Sequence, residues 1–131
     1  MQMNWAVAEQ AAARGVGERA GERVETVLLE GELSEQELSQ VADELLRRSG
    51  RGARYLVLDF AEVPHLNYRG VKPLVQRVEA LRRAGSDVKL SGLSPYLKAI
   101  FRAAGAHDVF EFYPHLNDAR AAFALARAPF V

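Results

Sequence analysis

Cysteine is absent from the 131 residues. That excludes disulfide scaffolds, thiolate zinc sites, cysteine nucleophiles and thiol redox switching, and it fits a reducing compartment. An excess of one charge is lacking too: 17 Lys and Arg balance 17 Asp and Glu, for a formal net charge of zero. A chain whose main task is to neutralise phosphates or to lie on an anionic membrane needs a basic excess, so nucleic acid is not an expected partner. No apolar run approaches the ~20 residues of a membrane span, and direct membrane insertion is not expected. The opening residues carry no basic segment and reach Glu9 too early for a signal peptide, which makes the cytoplasm the expected location. What remains, 49% hydrophobic and 26% charged residues, is the composition of an ordinary globular domain. At this length folding buries roughly two-thirds of the chain's surface, enough for a core without disulfide or metal. One domain over residues 1–131 is therefore expected.

Along the chain, short β-rich runs alternate with helical periodicity, the mark of an α/β domain. Val24 to Leu29 reads as a strand, and Ser34 with Glu37 has capping-box spacing. Behind that cap, Leu38, Val41, Ala42, Leu45 and Leu46 form one helical stripe that closes at Arg47-Arg48-Ser49-Gly50. Tyr55 to Phe60 is nearly continuous apolar sequence, suited to a central strand covered on both faces. After a loop with Pro64, Val71, Leu74, Val75, Val78 and Leu81 form a second stripe ending at Arg82-Arg83-Ala84-Gly85. Asp87 to Ser91 is the next strand. Ser94-Pro95 is an N-cap followed by proline at the first helical position, with Leu97, Ile100, Phe101 and Ala104 facing inward. Val109 to Tyr113 alternates like a last strand, and Asn117 opens a final helix with Ala119, Ala122, Phe123 and Ala126 on its inner face. Residues 4 to 13 read as an edge strand paired with residues 23 to 30 or as an Ala-rich helical arm; the strand is favoured because it sets Trp5, Val7 and Glu9 on one face with a hairpin partner close in sequence, and Gly15, Gly17 and Gly21 form a glycine loop between the two. The predicted order is β-β-α-β-α-β-α-β-α: a mixed sheet of four to five strands flanked by about four helices.

Catalytic constellations fail on spacing. Gly15-Val16-Gly17-Glu18-Arg19-Ala20-Gly21 is not G-x-G-x-x-G and carries Glu18 where an anion would sit. His65, His107 and His115 lie in three loops without the i,i+4 spacing that presents two imidazoles to one metal. Asp59 and Glu62 near a strand end read as cap or loop hydrogen-bonders rather than an acid–base pair, and no nucleophile elbow surrounds Ser91 or Ser94. Neither cofactor nor metal is expected, nor is enzymatic activity. The arginine pairs Arg47-Arg48 and Arg82-Arg83 occupy the last turns of predicted helices, where cations interact favourably with the carbonyl-rich end, and are expected to be solvated caps.

Three segments coincide in order and spacing: the turn Gly31-Glu32-Leu33-Ser34, the strand Leu56-Val57-Leu58-Asp59-Phe60, and the loop Val63-Pro64-His65-Leu66-Asn67-Tyr68-Arg69-Gly70. Together with Gly85-x-x-Val88-x-Leu90-x-Gly92 and Leu97 to Gly105, they resemble the STAS domains typified by bacterial anti-sigma-factor antagonists, over essentially residues 4 to 126. In that family the strand-to-helix loop usually reads Asp-Ser-Ser-Gly, and a partner kinase phosphorylates the first serine. Laid on this chain, the aspartate becomes Asn67, the phosphorylatable serine Tyr68, the next serine Arg69, and the glycine stays Gly70. The resemblance thus implies a regulatory module without the usual switch hydroxyl.

By the same resemblance, the partner would be an anti-sigma factor of the serine-kinase type or a related regulator, docked on Asn67, Tyr68, Arg69, Gly70 and Lys72. An alternative from the transport class is a STAS subunit on the ATPase of a lipid-transporting ABC system. From the residues alone, Asn67 can cap a helix, and Pro73 makes a regular start from Asn67 unsuitable, moving it towards Gly70. Arg69 sits unfavourably near the positive helix end unless paired, with Glu62 the candidate, and Tyr68 and Arg69 are residue types enriched at interface anchors.

Overall fold

The computed structural model describes residues 5–8 and 23–127. Its elements are β1 (Trp5–Ala8), β2 (Val24–Glu30), α1 (Glu35–Gly50), β3 (Tyr55–Glu62), a 3-10 turn (Tyr68–Gly70), α2 (Val71–Arg83), β4 (Asp87–Ser91), α3 (Pro95–Ala103), β5 (Phe112–Tyr113) and α4 (Leu116–Arg127). The strands form one sheet in the order β1-β2-β3-β4-β5. β1 runs antiparallel to β2, pairing Trp5 with Leu29 and Ala8 with Thr26; the remaining pairs are parallel. The expected α/β fold with a mixed sheet is the one observed. The facing of Trp5, Val7 and Glu9, the glycine loop of Gly15, Gly17 and Gly21, and the facing of Ala126 lie outside what is described.

Strand order follows chain order, so crossovers of one hand lay α1, α2 and α3 on the same face of the sheet. The main core fills that face, where Val27 and Leu29 of β2, Leu56, Leu58 and Phe60 of β3, and Val88 and Leu90 of β4 meet Leu38, Val41, Leu45, Leu74, Val78, Leu81, Leu97 and Phe101. The period-2 alternation of a strand sends Val24 and Val57 to the opposite face, where Ala119 and Phe123 of α4 cover them. β3 is buried on both faces because it is central, as its unbroken apolar run requires.

Local signals act as read. Ser34 Oγ accepts from the Glu37 N–H at 3.1 Å, and Glu37 Oε1 accepts from the Ser34 N–H at 2.9 Å, completing the capping box. Ser94 Oγ accepts from the Leu97 N–H at 3.1 Å, with Pro95 at the first helical position.

Three expectations are corrected. Val109–Tyr113 is not a five-residue strand: only Phe112 and Tyr113 pair with β4. The Val109 N–H donates to the Ala106 carbonyl in a turn, while its own carbonyl accepts from Arg82 Nη1 at 2.8 Å, so the groups that would extend the ladder are already used. The last helix begins at Leu116 rather than at Asn117, because the His115 carbonyl accepts from the N–H groups of Asp118 and Ala119 and makes Asn117 a first-turn residue.

The arginine pairs are the third correction, for they are not uniformly solvated. Arg48 is 3% exposed, with Nε donating to Glu44 at 2.8 Å and Nη1 to Glu25 of β2 at 3.2 Å. Arg82 is half-buried and donates to Asp87 at 2.7 Å, to the Val109 carbonyl at 2.8 Å and to the Val88 carbonyl at 3.3 Å, tying α2 to β4 and to the approach to β5. Only Arg47 and Arg83 are exposed, and Arg47 is itself paired with Glu44. The dipole argument places the cations correctly but is blind to acids brought in from other strands.

Candidate functional site

At the carboxyl ends of β2 and β3 the chain leaves the sheet in two loops, Gly31–Ser34 and Val63–Asn67. Each strand end needs its backbone groups satisfied, and the two loops do this for each other. The Gly31 N–H donates to the Glu62 carbonyl at 3.0 Å, the Leu33 N–H to the His65 carbonyl at 3.1 Å, and the Asn67 N–H to the Leu33 carbonyl at 2.9 Å. A parallel bridge pairs Leu33 with Leu66, both buried. The two segments that looked informative in the sequence are therefore one laced unit.

Asn67 starts the 3-10 turn. Its Oδ1 accepts from the Arg69 N–H and its carbonyl from the Gly70 N–H, both at 2.9 Å. Gly70 is then the N-cap of α2, at φ −83°, so glycine is not needed there for its backbone freedom. It is needed for proximity: a Cβ would lie 2.6 Å from Leu38 Cδ1 and 2.8 Å from Leu38 Cβ. Leu38 is a fully buried residue of α1. Pro73 falls within the first turn of α2, where its missing N–H leaves no hydrogen bond unmade. The irregular start foreseen near Gly70 is thus realised as a 3-10 turn that hands over to α2 at Val71.

The side chains on this frame point outward. Tyr68 is 56% exposed, and Asn67, Arg69 and Lys72 are exposed as well, so four of the five sequence-selected residues form one surface, with Gly70 buried beneath them. Gln76, Glu79 and Arg83 continue the exposed stripe along α2. The Arg69–Glu62 ion pair does not form: among the described residues the Arg69 side chain has no partner, and its cation stands unneutralised beside a helix start. That placement is unfavourable by about 0.3–1 kcal/mol.

One neighbour went unnoticed in the sequence. His65 and Tyr96 stack with ring centroids 5.7 Å apart, and His65 Nδ1 shares a 2.7 Å hydrogen bond with the Tyr96 hydroxyl. Tyr96 is 53% exposed, so this pair prolongs the aromatic surface from the loop to the start of α3. The 31-residue separation leaves no local signal that could have found it. Shallow depressions flank the pair, one against Ser34 and Asn67, the other against Pro64 and Ser94.

Among the described residues, the carboxylates and histidines singled out in the sequence lie apart. Asp59 accepts from the buried Ser91 Oγ at 2.7 Å and is a structural hydrogen-bonder, well apart in role from the exposed Glu62. Among the described residues no three His, Asp or Glu converge as a metal site, and no helix is long and apolar enough to cross a membrane. In open α/β sheets small ligands bind where the strand order reverses and neighbouring loops part into a crevice. Here the strand order never reverses, and the two loops are laced to each other by backbone hydrogen bonds.

Comparison with known proteins supplies the family. BtrV of Bordetella bronchiseptica, whose name carries the description "putative anti-sigma factor antagonist", is 24% identical over 98 residues, 75% of this chain and 84% of that protein. An anti-sigma factor antagonist from Mycobacterium paratuberculosis has a similar structure, with a TM-score of 0.69 and 22% identity, covering 92% of each chain. A sulfate transporter family protein from Wolinella succinogenes is similar at a TM-score of 0.70 and 20% identity, over 88% of this chain and 93% of that one. The STAS domain model matches residues 21–119, about three-quarters of the chain, and the chain belongs to the STAS domain family.

Proposed function

We propose that this protein is a non-enzymatic, cytoplasmic regulatory module that docks an anti-sigma factor of the serine-kinase type through Asn67, Tyr68, Arg69, Gly70, Lys72 and the exposed stripe of α2. The observation that carries the reading is Tyr68: a large aromatic side chain, 56% exposed, on a backbone pinned by the Asn67 cap and by the Gly70–Leu38 contact. Exposed aromatics on rigid backbone are the side chains that anchor interfaces, because little conformational freedom is lost when a partner buries them. The relation to BtrV supports an antagonist over a transport-associated STAS subunit, since likeness of fold is shared by both kinds.

No serine or threonine lies between Asn67 and Lys72. Regulation by a serine phosphate, which acts by placing a near-dianion beside the docking surface, has no acceptor here. The test is calorimetric titration with the anti-sigma kinase encoded nearest this gene. Tyr68→Ala should weaken binding by about 2 kcal/mol or more, whereas Arg83→Ala, a rim charge, should change it little. Arg82 is unsuitable as the control because it holds β4 in place. Equal small losses for both variants would refute the docking role.

A further inference from the structure

The opposite pole of the sheet is chemically distinct. The register that pairs Val24 with Tyr55 sets Arg23 beside Arg54 at the start of β2 and β3, on strands about 4.8 Å apart. Arg51, whose N–H caps the carbonyl end of α1, joins them. All three are exposed and line one depression of about 230 Å³ together with Glu25, Gly52 and Ala53. Gly52, at φ +104° with open space where a Cβ would be, lines the depression with bare backbone beside them.

Four other arginines meet an acid: Arg47 and Arg48 meet Glu44, Arg77 meets Asp43, and Arg82 meets Asp87. Arg23, Arg51 and Arg54 do not; among the described residues their side chains make no ion pair or hydrogen bond. Among the described residues lining the groove the one acid is Glu25, and it is engaged by Arg48 at 3.2 Å. Among the described residues, then, three guanidinium groups with no acid partner share one concavity. Their mutual repulsion is relieved by an anion, and each presents a planar fork of N–H donors matched to phosphate oxygens.

We infer that this groove binds a soluble phosphate-bearing ligand, at a site separate from the docking loop. Pyrophosphate is the probe, titrated by calorimetry at about 50 mM and about 300 mM NaCl. Saturable binding of one pyrophosphate, weakened by salt, is expected. Arg51→Gln/Arg54→Gln should weaken it by about tenfold or more, while Arg83→Gln and Tyr68→Ala should leave it unchanged.

Melting curves confirm that the double variant is folded, and Arg23→Gln provides an independent single variant with the same expected direction. Absence of saturable binding, or equal binding by the double variant, would overturn the inference. Sulfate binding as tightly as pyrophosphate at matched ionic strength would do the same, marking the groove as the seat of an adventitious ion only. Binding to phosphatidylglycerol vesicles without binding of pyrophosphate would also overturn it and reassign the patch to a membrane surface.

Discussion

Replacing Gly70 by alanine tests how the Asn67–Gly70 loop is held. The new Cβ would stand 2.6 Å from Leu38 Cδ1 and 2.8 Å from Leu38 Cβ, about 1 Å inside the ~3.5 Å at which carbon atoms make favourable contact. Leu38 cannot swing away, because it is fully buried and one of the two clashing atoms is its own Cβ. The 3-10 turn and α1 must separate instead. Overpacking of this kind costs about 1–3 kcal/mol. Against it stands a gain of about 0.4–1 kcal/mol from stiffening the unfolded chain, since φ −83° suits alanine. The expected result is a net loss of about 1–2 kcal/mol, read in urea denaturation as a midpoint lowered by about 0.5–1 M. Leu38→Ala alone should cost about 2–5 kcal/mol. Combined with Gly70→Ala it should cost less than the sum by about 0.5 kcal/mol or more, because the clash with Cδ1 is removed. A Gly70→Ala protein as stable as the parent, or strict additivity in the double variant, would refute the argument that proximity selects glycine here.

Arg48→Ala should destabilise by about 3 kcal/mol, since it strips the buried Glu44 of one partner and Glu25 of its own, whereas exposed Arg83→Ala should stay within about 0.5 kcal/mol; chemical denaturation of both variants checks this. Glu111 accepts hydrogen bonds from Lys89 at 2.5 Å and from the Tyr113 hydroxyl at 2.6 Å, and the Lys89 bond leads in holding its carboxyl below the usual value. A lowered folded-state value adds stability above the ordinary carboxylate range and forfeits it as pH falls through the folded value, so Glu111→Gln should flatten the acid limb of a pH–stability curve. Burial first, and then the bond to Glu111, push the Tyr113 hydroxyl up to about 12. Its contribution is complete below about 10 and declines as pH rises towards about 12, so Tyr113→Phe should reduce the alkaline loss seen by circular dichroism. Incubation with the cognate serine kinase and ATP should leave residues 67–70 unmodified by mass spectrometry, and stoichiometric phosphate on Tyr68 would contradict this.

Some properties of this protein follow from sequence alone because their causes are local. The Ser34–Glu37 box, the Ser94-Pro95 start, the 3.6-residue stripes of α1 and α2, and the doubly covered run of β3 depend on residues within one or two turns of each other, so spacing reveals them. The loop before α2 was legible in the same way, down to the Asn67 cap and the displaced helix start near Gly70. Tertiary structure alone decided what lies far apart in the chain. Arg48 is buried because β2 brings Glu25 to it across 23 residues, and Arg82 becomes a clamp because the Val109 carbonyl arrives 27 residues later. That same capture cuts β5 to two residues. Tyr96 reaches His65 across 31 residues, and Gly70 is indispensable only because Leu38 lies against it. Periodicity and capping report what a segment prefers by itself; which charge is neutralised, which carbonyl is already used and where a Cβ has no room are set by the neighbours that folding delivers.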